Sequence, residues 1–253
     1  MDFIKQELEN TEVPILLVGH SIGSYIALDM FRRSSEKVAY CIGLYPFLAL
    51  NPQSREQSII GKIIAGVNGL VANQAAQCSL KVFGLGPRPN MKALLWINDT
   101  CSGFRSQSLS AALSLIVASL GFLPIRALRF ILTNSLGKSW STVAVEAACS
   151  HLVQYHTMRN VLFMAMTEFK KLTETPDWAF VREKQEKLAF LFGVDDHWGP
   201  LQMFEEISEH VPGIALSIER VHSHAFACTE AGSSCVAKHI ASLIDNRLLS
   251  SRQ

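Results

Sequence analysis

The sequence lacks any imbalance of charge: 23 Lys and Arg face 22 Asp and Glu, for a net charge of +1. No basic stripe is left to neutralise a phosphate backbone, so nucleic acid is excluded as a partner. The six cysteines, at 41, 78, 101, 149, 228 and 235, form no C-x-x-C pair and no metal-ligand spacing. Reduced thiols follow as the default, and the sequence implies neither metal nor cofactor. Met1 to Asn10 is the charged start of an amphipathic helix and does not have the form of a signal sequence. Internal repeats and low-complexity linkers are also missing.

Apolar residues are plentiful. They make up 49% of the 253 residues, with a mean hydropathy of +0.20, which is rich for a soluble protein. The length allows one large domain or two small ones. It provides for a full core and leaves some apolar surface for contact with lipid.

The chain is organised around Pro14 to Gly23. An apolar run, Pro14-Ile15-Leu16-Leu17-Val18, stops at Gly19-His20-Ser21-Ile22-Gly23 and restarts with helical periodicity to Arg33. A buried strand, a sharp turn and a helix are the simplest reading. Such a turn strains the serine backbone and presents its hydroxyl at the strand tip. Side chains at Gly19 and Gly23 are expected to collide with the neighbouring strand or helix. The serine also lies at a helix N-terminus, which favours developing negative charge. This is the form of the nucleophile elbow of an α/β-hydrolase.

The pattern predicts strands at Val13–Val18, Val38–Leu44, Leu188–Gly193 and Ile214–Val221. Helices are predicted from Ile22 to Arg33, from Leu201 to His210 and from Thr229 to Leu248. The alternation of strand and helix predicts an α/β fold with a truncated, mostly parallel sheet flanked by helices. Residues 1–45 and 187–253 are assigned to that core, and 46–186 to a large, apolar, helical cap or insertion. Between Arg105 and Arg126 no charged residue occurs. Buried cap helices, a lipid-surface hairpin and a membrane span all remain open for that stretch.

A serine hydroxyl needs a base, and the base needs a carboxylate to fix its tautomer. The order expected for this fold is Ser, then Asp or Glu, then His. The chain offers Ser21, then Asp195 or Asp196, then His222 or His224, each in a loop after a predicted strand. Spacing does not separate the members of either pair. His197 is a rival base, but its position beside the acids makes a place between them and Ser21 difficult. The ring of His20, inside the elbow, reads as structural.

Three segments carry a family resemblance: Gly-His-Ser-Ile-Gly at 19–23, Phe-Gly-Val-Asp-Asp-His-Trp-Gly-Pro at 192–200, and His-Ala-Phe at 224–226. They resemble the lipid-droplet-associated hydrolase family of serine hydrolases, and the likeness runs from about residue 13 to 245. The family elbow, Gly-His-Ser-Ile-Gly-Ser-Tyr, is matched from Gly19 to Tyr25. Its acid loop, Gly-x-x-Asp-x-Trp-x-Pro, is matched by Gly193, Asp196, Trp198 and Pro200, which selects Asp196. Its base loop ends in His-Ala-Phe, which selects His224. Tyr45-Pro46 resembles the family's aromatic-Pro after the next strand. The resemblance also implies strands and an oxyanion-hole loop ahead of the elbow, where this chain has twenty residues.

The resemblance implies a serine hydrolase of apolar lipid esters, of sterol ester or acylglycerol type, with a role in lipid storage and turnover. Ser21 is the expected nucleophile, His224 the base, Asp196 its orienting acid, and the N–H of Ile22 an oxyanion donor. The expected partners are a lipid ester and a droplet or membrane surface. The expected location is the lipid droplet, with the endoplasmic reticulum membrane or the cytoplasm as alternatives. Two other readings stay open: a non-catalytic surface scaffold, and a soluble hydrolase of small esters or thioesters. The strand before the elbow is apolar on both faces, yet only one predicted neighbour follows it. An exposed, aggregation-prone edge is therefore expected.

Overall fold

The continuous apolar runs Val38–Leu44 and Leu188–Gly193 become strands buried on both faces. In the computed structural model, which describes residues 13–51, 53–55, 57–59, 61, 119, 122–135, 137–152 and 155–250, four strands form one sheet. They are β1 (Ile15–His20), β2 (Val38–Leu44), β3 (Leu188–Gly193) and β4 (Ala215–Glu219). All pair in parallel, in the order β1-β2-β3-β4. The period of two explains the unbroken apolar runs. Cys41 of β2 and Leu188, Phe190 and Phe192 of β3 face one core layer, where Phe31, Val181 and Ile207 pack. Tyr40, Ile42 and Leu44 of β2 and Ala189 and Leu191 of β3 face the other, with Phe226 and Val236.

β2 and β3 have the predicted limits, while β1 is displaced by two residues. Pro14 has no N–H for the ladder, and pairing with β2 continues through Gly19↔Gly43 and His20↔Leu44. β4 is shorter than predicted. Oε1 of Glu219 accepts the N–H groups of Val221 at 2.6 Å and His222 at 3.2 Å, which turns the chain out of the sheet. β1 and β4 are the outer strands among the described residues. Leu17 packs on the core, but Leu16 and Val18 are 45% and 48% exposed.

Helix α1 (Ile22–Arg33) follows β1 directly. Ala27 and Phe31, four residues apart, bury its inner face. Between β2 and β3 lie α2 (Ile125–Asn134), α3 (Thr142–Ala147) with a π turn at Ala148–Leu152, α4 (Tyr155–Lys171) and α5 (Trp178–Glu183). Ser141 caps α3 by accepting the N–H of Ala144, and Asp177 caps α5 by accepting that of Phe180. α6 (Leu201–His210) has its predicted limits, and α7 (Glu230–Ser250) closes the described chain.

The chain divides into two compact units, Met1–Asn51 with Leu172–Gln253, and Pro52–Lys171. Residues 46–51 and 172–186 thus go with the sheet, whereas the sequence reading puts them in the insertion. The physical reason is burial. Phe47, Leu48, Leu172 and Val181 are all buried, and Leu50 N–H donates to the Leu172 carbonyl at 2.9 Å. Within the second unit, Leu128, Val145 and Cys149 form a small core beside Leu132 and Trp140. An Arg129–Glu146 ion pair joins α2 to α3. Among the described residues no helix is long and apolar enough to cross a membrane. Most of the charge-free stretch 106–125 lies outside those residues.

Candidate active site

The turn after β1 is held from several directions. Ser21 has φ 57° and ψ −126°, a conformation that costs an L-residue about 1–3 kcal/mol and persists only where its surroundings enforce it. The end of β2 does so here. Ser21 N–H donates to the Leu44 carbonyl at 3.0 Å, and the Ser21 carbonyl accepts from Phe47 N–H at 3.2 Å and Ser24 N–H at 3.0 Å. Buried Ser24 donates its hydroxyl to the Gly19 carbonyl at 2.9 Å, closing the turn.

A Cβ at Gly19 would run into the Gly23 carbonyl. At Gly23 the expected collision is absent, since no atom lies within 4 Å of where its Cβ would stand. The close approach of turn to helix is made at Gly19, and the carbonyl of Gly23 fills that space. The Ser21 side chain does not cap α1. Ile22 opens the helix, so its N–H belongs to the first turn, which has no intrahelical acceptors.

Two other strand ends bring the acid and the imidazole together. Asp196, in the loop after β3, is 4% exposed. Its Oδ1 accepts the N–H of Trp198 at 2.9 Å and lies 2.9 Å from Nδ1 of His224, in the loop after β4. The N–H of that imidazole is not well aligned with the oxygen, so the contact is a close approach rather than a linear hydrogen bond. Oδ2 of Asp196 is buried without a hydrogen-bond partner among the described residues. Asp195 and His197 are exposed. His222 turns its ring toward Glu219 and Cys235. The structure therefore pairs Asp196 with His224 and leaves the sequence alternatives outside that pair. With Nδ1 toward the acid, Nε2 is the remaining basic nitrogen of His224.

Two side chains tie the imidazole loop to the elbow. His20, the residue before Ser21, places Nε2 3.1 Å from the carbonyl of His224. Its ring centroid lies 4.7 Å from the His224 ring and 4.9 Å from Phe226. Burial first, and then the neighbouring His224, hold the His20 pKa below its ordinary value, so this ring is a neutral donor near pH 7. Tyr45, buried at the end of β2 with φ 45°, donates its hydroxyl to the His222 carbonyl at 2.8 Å. Burial, and then Glu219 and Asp196, push its pKa up, so the phenol keeps its proton. Alternate carbonyls of the loop, 222 and 224, are thus held from adjacent strand ends.

Phe47 packs edge-on to Trp198 at 5.5 Å and fixes the acid loop to the exit of β2. A Cβ on Gly199 would strike the Pro46 carbonyl, which explains a glycine at that crossing. Sequence reading takes the His20 ring as structural and finds no partner for Tyr45. Neither bond has a local signal, because their partners lie 204 and 177 residues away.

The family model for "Lipid-droplet associated hydrolase" matches residues 1–98 and 97–227. The lipid droplet-associated hydrolase of Gallus gallus is 25% identical over 232 residues, covering 89% of this chain and 57% of that protein. The protein of the same name from Dictyostelium discoideum is 23% identical over 208 residues, covering 81% of this chain and 53% of its own length. The chain therefore spans little more than half the length of these curated relatives.

Two solved structures share the fold. The peroxisomal alpha-beta-hydrolase Lpx1 of Saccharomyces cerevisiae has a TM-score of 0.53 at 12% identity, covering 98% of this chain and 57% of its own. A structure from a study of carboxylesterases of Nitrososphaera gargenis has a TM-score of 0.51 at 12% identity, covering 97% and 71%. The parallel sheet, the elbow and these likenesses define an α/β-hydrolase fold, and the family match extends over most of the sequence: the chain belongs to the lipid-droplet associated hydrolase family.

Proposed function

We propose that the protein is a serine hydrolase that cleaves carboxylic esters of apolar lipids at a lipid-droplet surface. One observation carries the reading: a buried carboxylate lies 2.9 Å from Nδ1 of an imidazole whose ring packs against His20, the neighbour of a strained serine. Ser21 Oγ attacks the ester carbonyl while Nε2 of His224 takes its proton. Asp196 holds the tautomer and stabilises the imidazolium. The N–H of Ile22 faces the developing oxyanion at the start of α1. His224 then returns the proton to the leaving alcohol, and water repeats the sequence on the acyl-enzyme.

The lipid part of the proposal rests on the family and on the second unit. Around α2, Phe122 and Phe130 are 72% and 70% exposed, and Leu123, Ile125 and Ile131 are exposed with them. Exposed Arg126 belongs to the same stretch, as does Arg129, which is paired with Glu146. Exposed aromatic and aliphatic side chains beside cationic ones suit an apolar surface rimmed by headgroups. The droplet surface is the location this favours.

The test compares hydrolysis of a triacylglycerol or sterol ester emulsion with hydrolysis of a short soluble ester. The expected result is turnover of the emulsion that falls by about 1000-fold or more in Ser21→Ala. Turnover of the short ester alone supports a soluble esterase instead. No turnover of either by the folded protein supports a scaffold.

A further inference from the structure

We propose that Glu219, His222 and Cys235 form a binding site for a borderline divalent cation of the zinc class, separate from the acyl-transfer centre. No sequence spacing announces it. Glu219 ends β4, His222 opens the following loop and Cys235 lies in the second turn of α7. The fold brings one carboxylate oxygen, one ring nitrogen and the thiol sulfur all within 4.8 Å of one another.

The cluster is already organised. Oε1 of Glu219 accepts two backbone N–H groups, from Val221 and His222, so the carboxylate cannot swing away. Its other oxygen, Oε2, accepts from the thiol of Cys235 at 3.4 Å. Two ligands of a tetrahedral zinc ion, one sulfur and one oxygen, stand about 3.6 Å apart, given bonds of about 2.3 and 2.1 Å. One edge of the tetrahedron is thus nearly in place, and His222 has to close by about 1.4 Å at most to complete a face. Coordination replaces the thiol proton, which passes to solvent, by the cation. A mixed set of thiolate, imidazole and carboxylate suits zinc or cobalt and not calcium or magnesium, which prefer oxygen alone. All three residues are partly exposed, so solvent can supply a fourth ligand.

The site adjoins the proposed catalytic loop. The carbonyl of His222 is the one held by Tyr45, and His224 follows two residues later. A cation there would join β4, the loop and α7 at the point where the Cys235 thiol and the N–H groups of Val221 and His222 already meet the Glu219 carboxylate.

The test titrates the full chain, fully reduced, with Co²⁺ and follows the thiolate-to-cobalt charge-transfer band, then displaces the metal with Zn²⁺. The expected result is one saturable site whose band is lost in Cys235→Ser and kept in Cys228→Ser, with affinity at least about tenfold lower in His222→Gln. Zinc should also raise the melting temperature of the parent chain and not that of Cys235→Ser. Ser21→Ala should bind the metal as the parent does, so this outcome is independent of the hydrolase reading. Absence of a saturable band, or a band that survives Cys235→Ser, overturns the proposal.

Discussion

His20 and Tyr45 separate the catalytic role of a residue from the role of holding one. Both meet the His224 loop at its backbone carbonyls. Tyr45→Phe keeps the ring and removes the donor to the His222 carbonyl. A hydrogen bond of this kind is worth about 0.5–1.5 kcal/mol, so kcat is expected to fall several-fold with KM little changed. His20→Phe keeps the packing on His224 and loses the bond, and His20→Gln does the reverse. Either should slow turnover at the chemical step, and single-turnover kinetics would show it.

His20 also predicts a pH effect. Its folded pKa is lowered from 6.5, chiefly by burial. The unfolded chain therefore takes up the proton first on acidification. The stabilisation is complete above the ordinary value and is lost as the pH falls from about 6.5 through the folded value. Urea unfolding between about pH 7.5 and 5 should show a shallower decline in His20→Gln than in the parent. An unchanged decline would mean that the ring is solvated.

At the scale of elements, the strands were legible because β2 and β3 bury both faces and so read as unbroken apolar runs. The helix α1 was legible from its periodicity and from the Gly-His-Ser-Ile-Gly turn at its start. The order Ser, Asp, His was legible too, because each loop follows a strand. The choice between Asp195 and Asp196 was not legible from spacing and came only through the family's acid-loop pattern. It depends on which carboxylate turns inward after β3, where Trp198 N–H donates to Asp196 and Phe47, from the distant exit of β2, packs on Trp198. Gly23 shows the converse error, since a glycine in a familiar turn need not be there to avoid a clash of its own Cβ. Gly19 is the constrained position. Gly19→Ala should cost about 1–3 kcal/mol or prevent folding, because the obstructing atom is backbone carbonyl and cannot swing aside. Gly23→Ala should be far milder, and chemical denaturation of the two variants would compare them directly.

At the scale of the molecule, two sets of exposed apolar side chains among the described residues bear on partners. The first is β1, an outer strand among the described residues, with Leu16 and Val18 exposed on one face. Such an edge invites pairing with another chain, so Val18→Lys is expected to reduce aggregation in size-exclusion chromatography without lowering the melting temperature. The second is the exposed set around α2. Phe122→Ser with Phe130→Ser should weaken binding to a phospholipid-coated oil emulsion and leave hydrolysis of a soluble ester unchanged. Equal binding by that double variant would place lipid contact elsewhere. The central claim is that Ser21 is an activated nucleophile, and its most direct measurement is intact mass after treatment with a fluorophosphonate, followed by peptide mapping. A single phosphonyl adduct on Ser21 Oγ is expected, formed with loss of fluoride, absent in Ser21→Ala and at least about 100-fold slower in His224→Ala. A folded chain that takes up no adduct, or carries it on another residue, would contradict the account.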